Sequence, residues 1–369
     1  MNRKNLRIAA PAAMLALALG LSACGAGNED SSSDDSGKTG ESSSKVSGTL
    51  NGAGSSAQEA AVAAWKSKFQ TANPDTTVNY DPSGSGAGRE QFIAGGVSFA
   101  GSDAYLTDEE LASAKAKCGS DIVEVPTYVS PIAVVYNLDG VKDLNLSAET
   151  IASIFAGKIT TWDDAAIKAD NPDAKLPSTK ITPVHRSDDS GTTQNFTDYL
   201  SKAASSVWTD EAAQTWPIKG GEAAEGTSGV IAAVTGGKGT IGYADESQAG
   251  DLGKANIKVG DDFVAPTPEA AAKVLDTAKA VEGRDATDVA VDIDRTTEEA
   301  GVYPVVLASY QIACQTYKDA DTANLVKAWM TYVTSTEGQS AAAEAAGSAP
   351  LSGDFASKVQ AAVATIKAA

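Results

Sequence analysis

An α/β fold is predicted for this chain from three observations. Short β-branched runs alternate with amphipathic helical stretches along the body of the sequence. Gly- and Ser-rich turns join several of those runs to the helix that follows. Behind the N-terminal segment about 320 residues remain, enough to bury one large or two medium cores.

The elements follow in order. Ser47–Leu50 reads as a strand that enters the turn Gly52-Ala53-Gly54-Ser55-Ser56. Ser56 is placed to cap a helix running to about Thr71, with Val62, Trp65 and Phe69 on one face. Thr76–Tyr80 alternates like a strand and leads into Ser83-Gly84-Ser85-Gly86-Ala87-Gly88, with a short helix over Arg89–Ala94. Val97–Ser102 is a strand ending at Asp103, and Thr107-Asp108-Glu109-Glu110 is a capping box opening another helix. Ile122–Val125 and Ile132–Tyr136 are β-branched runs separated by Pro126 and Pro131. Ser147 caps a helix through Phe155, stopped by Gly157. Ile181–Val184 runs into Arg186-Ser187-Asp188-Asp189-Ser190-Gly191-Thr192, followed by a helix over Thr192–Leu200. Gly226–Val234 is helical, Thr240–Tyr243 and Tyr303–Ala313 are strands, and Thr322–Thr334 and Asp354–Ala368 are helices. No internal repeat of fixed period is present.

The N-terminus reads as a targeting segment. Met1-Asn2-Arg3-Lys4-Asn5-Leu6-Arg7 is a basic n-region, and Ile8–Leu21 is an apolar run shorter than the about 20 residues a bilayer span needs. The run ends Leu21-Ser22-Ala23-Cys24, which resembles the lipobox of bacterial lipoproteins and implies a signal over residues 1–23 with a lipid anchor on Cys24. Gly25–Lys45 is rich in Ser, Gly and Asp and cannot bury apolar surface, so residues 24–46 are expected to be a lipidated Cys and a disordered tether.

Charge excludes one class of partner. Net charge is −19, and loss of Arg3, Lys4 and Arg7 with the signal takes it to about −22. So acidic a chain is a poor nucleic-acid binder and repels anions at long range. Any oxyanion site must therefore act through short-range hydrogen bonds. Export also bears on the cysteines. Cys118 and Cys314 remain after Cys24, and in an oxidising compartment they either bridge or sit as separate buried thiols. A bridge needs Cα atoms within about 7 Å and would bring early and late chain together.

The three glycine-rich turns carry the chemical signal. A helix start offers free N–H groups and a partial positive charge, Gly lets the backbone approach a ligand, and Ser or Thr adds hydroxyl donors. Three such turns, one with an Arg, suit a cage for a small oxyanion. Rival motifs are weaker. Gly52-Ala53-Gly54-Ser55-Ser56-Ala57 fits a dinucleotide fingerprint loosely, but export argues against a nicotinamide cofactor. Gly236-Gly237-Lys238-Gly239 lacks the Ser or Thr of a P-loop. Asp189-Ser190-Gly191-Thr192 resembles one half of an aspartic-protease site, with no second copy in the folded body. Ser190 as a nucleophile needs a base, and the only histidine, His185, lies on the preceding strand. No Cys, His and acid cluster has metal-ligand spacing.

Taken in order, Leu50–Ser56, Tyr80–Gly86, Phe99–Asp103 and Arg186–Thr192, supported by Ile154–Asp164 and Gly239–Tyr243, resemble the phosphate-binding protein of the high-affinity ABC phosphate importer, over about residues 47 to 365. The resemblance implies a two-lobed type II periplasmic-binding-protein fold with ligand in the interlobe cleft. One lobe would hold 47–127 plus 304–369 and the other 128–303. It implies inorganic phosphate held by Ser56, Ala57, Ser85, Asp103, Arg186, Ser190, Gly191 and Thr192, with Asp188 steadying the guanidinium. It further implies delivery to a membrane ABC permease, a monomer, and no cofactor, metal or catalysis. Two positions depart from the family pattern: Ala57 stands where an aromatic is common, and Asp189 where Gly is common. Asp103 supplies a selectivity argument. A carboxylate repels an anion unless the ligand brings a proton. Phosphate near pH 7 has a P–OH and sulfate has none, so sulfate or molybdate uptake is the disfavoured binding reading. The plainer role for Asp103 is a turn or helix cap. A secreted phosphatase or protease using Ser190 or Asp189 is the enzymatic alternative.

Overall fold

The computed structural model describes residues 46–369, so the signal, Cys24 and the tether up to Lys45 lie outside the described residues. Eight strands build one curled mixed sheet: β1 (Gly48–Gly54), β2 (Thr76–Asp81), β3 (Phe99–Ser102), β4 (Ile122–Asn137), β5 (Thr182–Arg186), β6 (Glu222–Ala224), β7 (Thr240–Asp245) and β8 (Val306–Cys314). Their order is β2-β1-β3-β8-β4-β7-β5-β6, and Gly253–Lys254 adds a ninth strand against the far end of β4. β1, β2 and β3 are parallel, as are β5, β6 and β7, whereas β8 and β4 run antiparallel to their neighbours. The α/β class predicted from the alternating pattern is the one observed.

β4 joins the two groups of parallel strands. Ile122–Pro131 pairs with β8, and Ile132–Asn137 pairs with β7. The sequence reading divides this stretch at Pro126 and Pro131, but the structure makes it one strand of 16 residues. Proline removes a ladder donor. The strand tolerates Pro126 because the register against β8 shifts between Ser309 and Tyr310, and it tolerates Pro131 at the end of the β8 ladder.

Helices cover both faces: α1 (Glu59–Ala72), α2 (Ser85–Ala94), α3 (Asp108–Cys118), α4 (Ala148–Phe155), α5 (Ala165–Asp170), α6 (Gly191–Ala203), α7 (Gly226–Gly236), α8 (Pro268–Thr277), α9 (Ala320–Val333), α10 (Thr336–Ala346) and α11 (Gly353–Ala364). Their starts follow local chemistry. Thr107 and Glu110 form the complete capping box on α3, Ser147 accepts from Thr150 N–H, and Ser190 accepts from Thr193 N–H. Ser56 does not cap α1 as expected; Ser55 Oγ accepts from Ala57 N–H and Gln58 N–H instead. α11 stops at Ala364, because Lys367–Ala368 leaves the helix to pair with Thr316–Tyr317.

The core holds Trp65, Phe69, Phe99 and Trp329 on one side and Phe155, Trp162, Phe196 and Tyr243 on the other. Cys118 and Cys314 are bridged, with Cα atoms 5.5 Å apart. The bridge pins the end of α3 to the end of β8 across 196 residues of chain. Of the two states left open for this pair, the structure has the disulfide. Among the described residues no helix is long and apolar enough to cross a membrane.

Candidate functional site

The carboxyl ends of β1, β2, β3 and β5 converge, which is where open α/β sheets bind ligands. Each of the three predicted turns leaves such a strand and leads into α1, α2 or α6. A fourth helix start, that of α7 at Gly226, joins them, and the sequence reading did not single it out for the site. Gly84 and Gly191 are needed for the approach. A Cβ on Gly84, whose φ is +100°, would lie 2.6 Å from Asp188 Oδ2, and one on Gly191 would lie 2.7 Å from Ser85 Oγ and 2.8 Å from Asp103 Cβ.

Arg186 is the cation of the site and is 3% exposed. Its Nε and Nη2 donate to the two carboxylate oxygens of Asp188, at 2.7 and 2.5 Å. Gly226 N–H donates to the same carboxylate at 3.0 Å. Burial raises the Asp188 carboxyl, but Arg186 and the Gly226 amide outweigh it and hold the group below the usual carboxylate range. The Arg186 backbone is fixed by Tyr243, whose hydroxyl accepts from Arg186 N–H and meets Thr193 Oγ1 at 2.8 Å. Burial pushes that phenol up to about 12, so it stays protonated.

Asp103 lies at the end of β3 and is 2% exposed. Ser55 Oγ and Ser309 Oγ both donate to its Oδ1 at 2.5 Å. Thr192 Oγ1, from the turn into α6, donates to its Oδ2 at 2.9 Å. Its backbone is held too: its amide donates to Ser85 Oγ, and its carbonyl accepts from Asn195 Nδ2. This is more than a turn cap, because three hydroxyls from distant chain segments point at one carboxylate.

The remaining predicted residues fall around this pair. Ser56 Oγ meets Thr227 Oγ1 at 3.0 Å and accepts from Thr227 N–H at 3.1 Å, tying the first turn to α7. Ala57 N–H is turned toward Ser55. Ser190 spends its amide on Gln214 O and accepts from Thr193 N–H, which leaves its hydroxyl proton as the donor. The amides of Gly191 and Thr192, at the start of α6, have no backbone acceptor among the described residues. Asp189, the second departure from the family pattern, is exposed and accepts from Thr215 Oγ1, so its charge is turned away from Arg186. Sequence reasoning missed Ser55 as a site residue although it quoted the turn that holds it. It also missed Ser309 and Thr227, which carry no local motif.

Further contacts tie the two groups of strands together: Gly86 N–H donates to Asp189 O, and Arg89 Nη2 donates to Gln214 Oε1. A cavity of about 170 Å³ borders Asp103, walled by Asn195, Asp198, Lys202, Arg295 and Tyr310. Arg186, Ser85 and Ser190 do not line it. Among the described residues His185 is not placed as a base for Ser190. His185 stacks on Trp216 with ring centroids 5.1 Å apart, and its Nδ1 meets Arg186 O rather than Ser190. The buried Arg186 guanidinium, four converging helix starts and a buried carboxylate with a lone pair left on Oδ2 suit a small anion that carries its own proton.

Residues 39–337 match the model of the PBP superfamily domain. The chain is 40% identical to phosphate-binding protein PstS 3 of Mycobacterium tuberculosis, over 87% of this chain and 89% of that protein. It is 38% identical to phosphate-binding protein PstS 2 of the same organism, over 97% of this chain and 98% of the relative. The chain belongs to the phosphate-binding proteins of the PBP superfamily. Among solved structures, the high-affinity periplasmic phosphate-binding protein PfluDING, bound with phosphate at pH 8.5, superposes with a TM-score of 0.72 at 24% identity, covering 85% of this chain and 93% of that one. The phosphate-binding protein of Stenotrophomonas maltophilia superposes with a TM-score of 0.64 at 20% identity, covering 85% and 94%. The two-lobed α/β fold implied by the sequence resemblance is therefore the fold of this chain.

Proposed function

We propose that this protein captures inorganic phosphate outside the cytoplasm and delivers it to a membrane ABC permease, without catalysing a reaction. The observation that carries the reading is the buried Asp103 carboxylate, reached by hydroxyls from three separate chain segments at the turn where the helix following Arg186 starts. Arg186 supplies positive charge to the anion, and Asp103 accepts from the ligand's P–OH. Ser85, Ser190, Gly191 and Thr192 surround the anion with neutral donors, and Ser56 and Ala57 complete the first turn. Asp188 keeps the guanidinium plane in place.

The two lobes comprise residues 47–127 plus 304–369 and residues 128–303. Phosphate touches both, so it favours the closed arrangement by differential affinity. Anchoring rests on Cys24 acting as a lipid acceptor, with residues 25–46 as the tether of a monomer on the outer face of the cytoplasmic membrane. A Cys24→Ser variant would then be released into the medium, and retention on the membrane would contradict the anchor.

Titration calorimetry with phosphate, sulfate and arsenate tests the central reading. Phosphate binds tightly, arsenate follows closely, and sulfate is at least ~10³-fold weaker, because a site built on one hydrogen bond rejects the analogue that lacks it. Equal affinity for phosphate and sulfate would favour the general oxyanion reading. Turnover of a phosphoester that Ser190→Ala abolishes would favour a hydrolase.

A further inference from the structure

Asp103 is the acid assigned to the proposed phosphate cage, and its surroundings determine which of its oxygens meets the ligand. A chain of hydrogen bonds whose direction is fixed at each link leads to its Oδ1. Gln58 Nε2 donates to Tyr310 O at 2.9 Å; a carbonyl can only accept, so the amide orientation is fixed. The same Nε2 donates to Ser309 Oγ at 2.6 Å. Ser309 therefore receives a proton from Gln58, and its own proton turns to Asp103 Oδ1. On the other side, Ala57 N–H and Gln58 N–H both point at Ser55 Oγ, so the Ser55 proton turns to the same Oδ1. Gln58, Ser55 and Ser309 are each fully buried.

Two committed donors occupy both lone pairs of Oδ1. A ligand O–H therefore finds no free lone pair on Oδ1. Oδ2 remains, and it is the oxygen that points across to Thr192 on the opposite side of the site. We infer that Gln58, Ser309 and Ser55 are specificity-determining positioning residues, which lock the Asp103 carboxylate in one orientation with Oδ2 as the single ligand-facing atom. The inference rests on the phosphate reading above and deepens it. Selectivity against fully ionised oxyanions comes from the lock as well as from the carboxylate. With one locking hydroxyl removed, Asp103 can turn, and Oδ2 is no longer held as a fixed acceptor against a fully ionised oxyanion.

The test measures the sulfate-to-phosphate Kd ratio at neutral pH, with phosphate by calorimetry and sulfate by competition against bound phosphate. Wild type, Ser309→Ala, Ser309→Thr and Ser55→Ala are compared. Ser309→Ala and Ser55→Ala each lower the ratio by about tenfold or more, as expected for one hydrogen bond to a charged group, while Ser309→Thr keeps it near wild type. Gln58→Met, which leaves the Ser309 hydroxyl free to rotate, moves the ratio in the same direction. A merely structural role would weaken both anions together and leave the ratio unchanged. An unchanged ratio in both alanine variants overturns the lock while leaving phosphate capture intact. If one alanine variant fails to fold, the other decides. Failure of the wild-type protein to bind phosphate would sink the functional reading itself.

Discussion

Replacing Asp103 with Asn removes one charge from the site and keeps its shape. Ser55 and Ser309 both aim protons at the Oδ1 position, so the amide oxygen must take that place and the amide nitrogen must take the Oδ2 position. The site then presents a donor where it presented an acceptor. For phosphate, the charge-assisted bond from P–OH is lost. Part of it is recovered when an unprotonated phosphate oxygen turns to the amide, so the cost is about 1–2 kcal/mol, or about 10-fold in Kd. For sulfate, a buried acceptor facing an acceptor is replaced by a matched pair. That recovers about 1–3 kcal/mol, or roughly 10- to 100-fold in affinity. The discrimination ratio should therefore fall by about 10²-fold or more, read by competition calorimetry at neutral pH. A variant that loses both anions equally would show that Asp103 holds the fold together and does not read the ligand's proton.

Four further outcomes are expected. Arg186→Ala removes the cation and strands the half-buried Asp188 carboxylate, so phosphate Kd should weaken by at least about 10²-fold; a change under tenfold would show that the anion sits elsewhere. Because the donors are local and the chain is strongly acidic, phosphate affinity should vary little as salt is raised, whereas a steep decline would point to a diffuse basic surface. Reducing the Cys118–Cys314 bridge should cost about 2–5 kcal/mol and lower the Tm, and alkylation without reductant should leave both cysteines unlabelled. Burial pushes the Asp245 carboxyl up to about 7, although hydroxyls of Ser247, Ser130 and Tyr128 pull it back. The folded state then holds a proton that the unfolded state has lost between about pH 4 and 7. Stability relative to Asp245→Asn should fall as pH rises through that window, by up to about 1.4 kcal/mol per unit, and parallel melting curves across it would refute the assignment.

Legibility in the sequence followed the range of each interaction. The capping box at Thr107 and the stop at Gly157 lie within one helical turn of chain and are found where the residues indicate. The three anion turns are equally local: Gly, Ser and Arg reveal backbone conformation and donor chemistry over a few residues. The cap on α1 was misplaced by one residue because adjacent serines at 55 and 56 carry the same signal, and only the fold turns one toward Asp103 and the other toward Thr227. The helix Thr336–Ala346 was missed because its Ala-rich sequence has no apolar stripe. Pro126 and Pro131 read as breaks because the bulge opposite Ser309 is set by another strand. Ser309 itself was invisible. It is one hydroxyl inside an apolar run, 206 residues from the carboxylate it orients, and only the antiparallel pairing of β8 brings it there.

A crystal structure grown with phosphate tests the account most directly. The account predicts one tetrahedral anion bridging the two lobes, with Arg186 and the start of α6 on one side, Ser85 on the other, and a short contact from a phosphate oxygen to Asp103 Oδ2 while Oδ1 keeps Ser55 and Ser309. An anion bound away from Arg186, or one whose nearest acid is not Asp103, would contradict it.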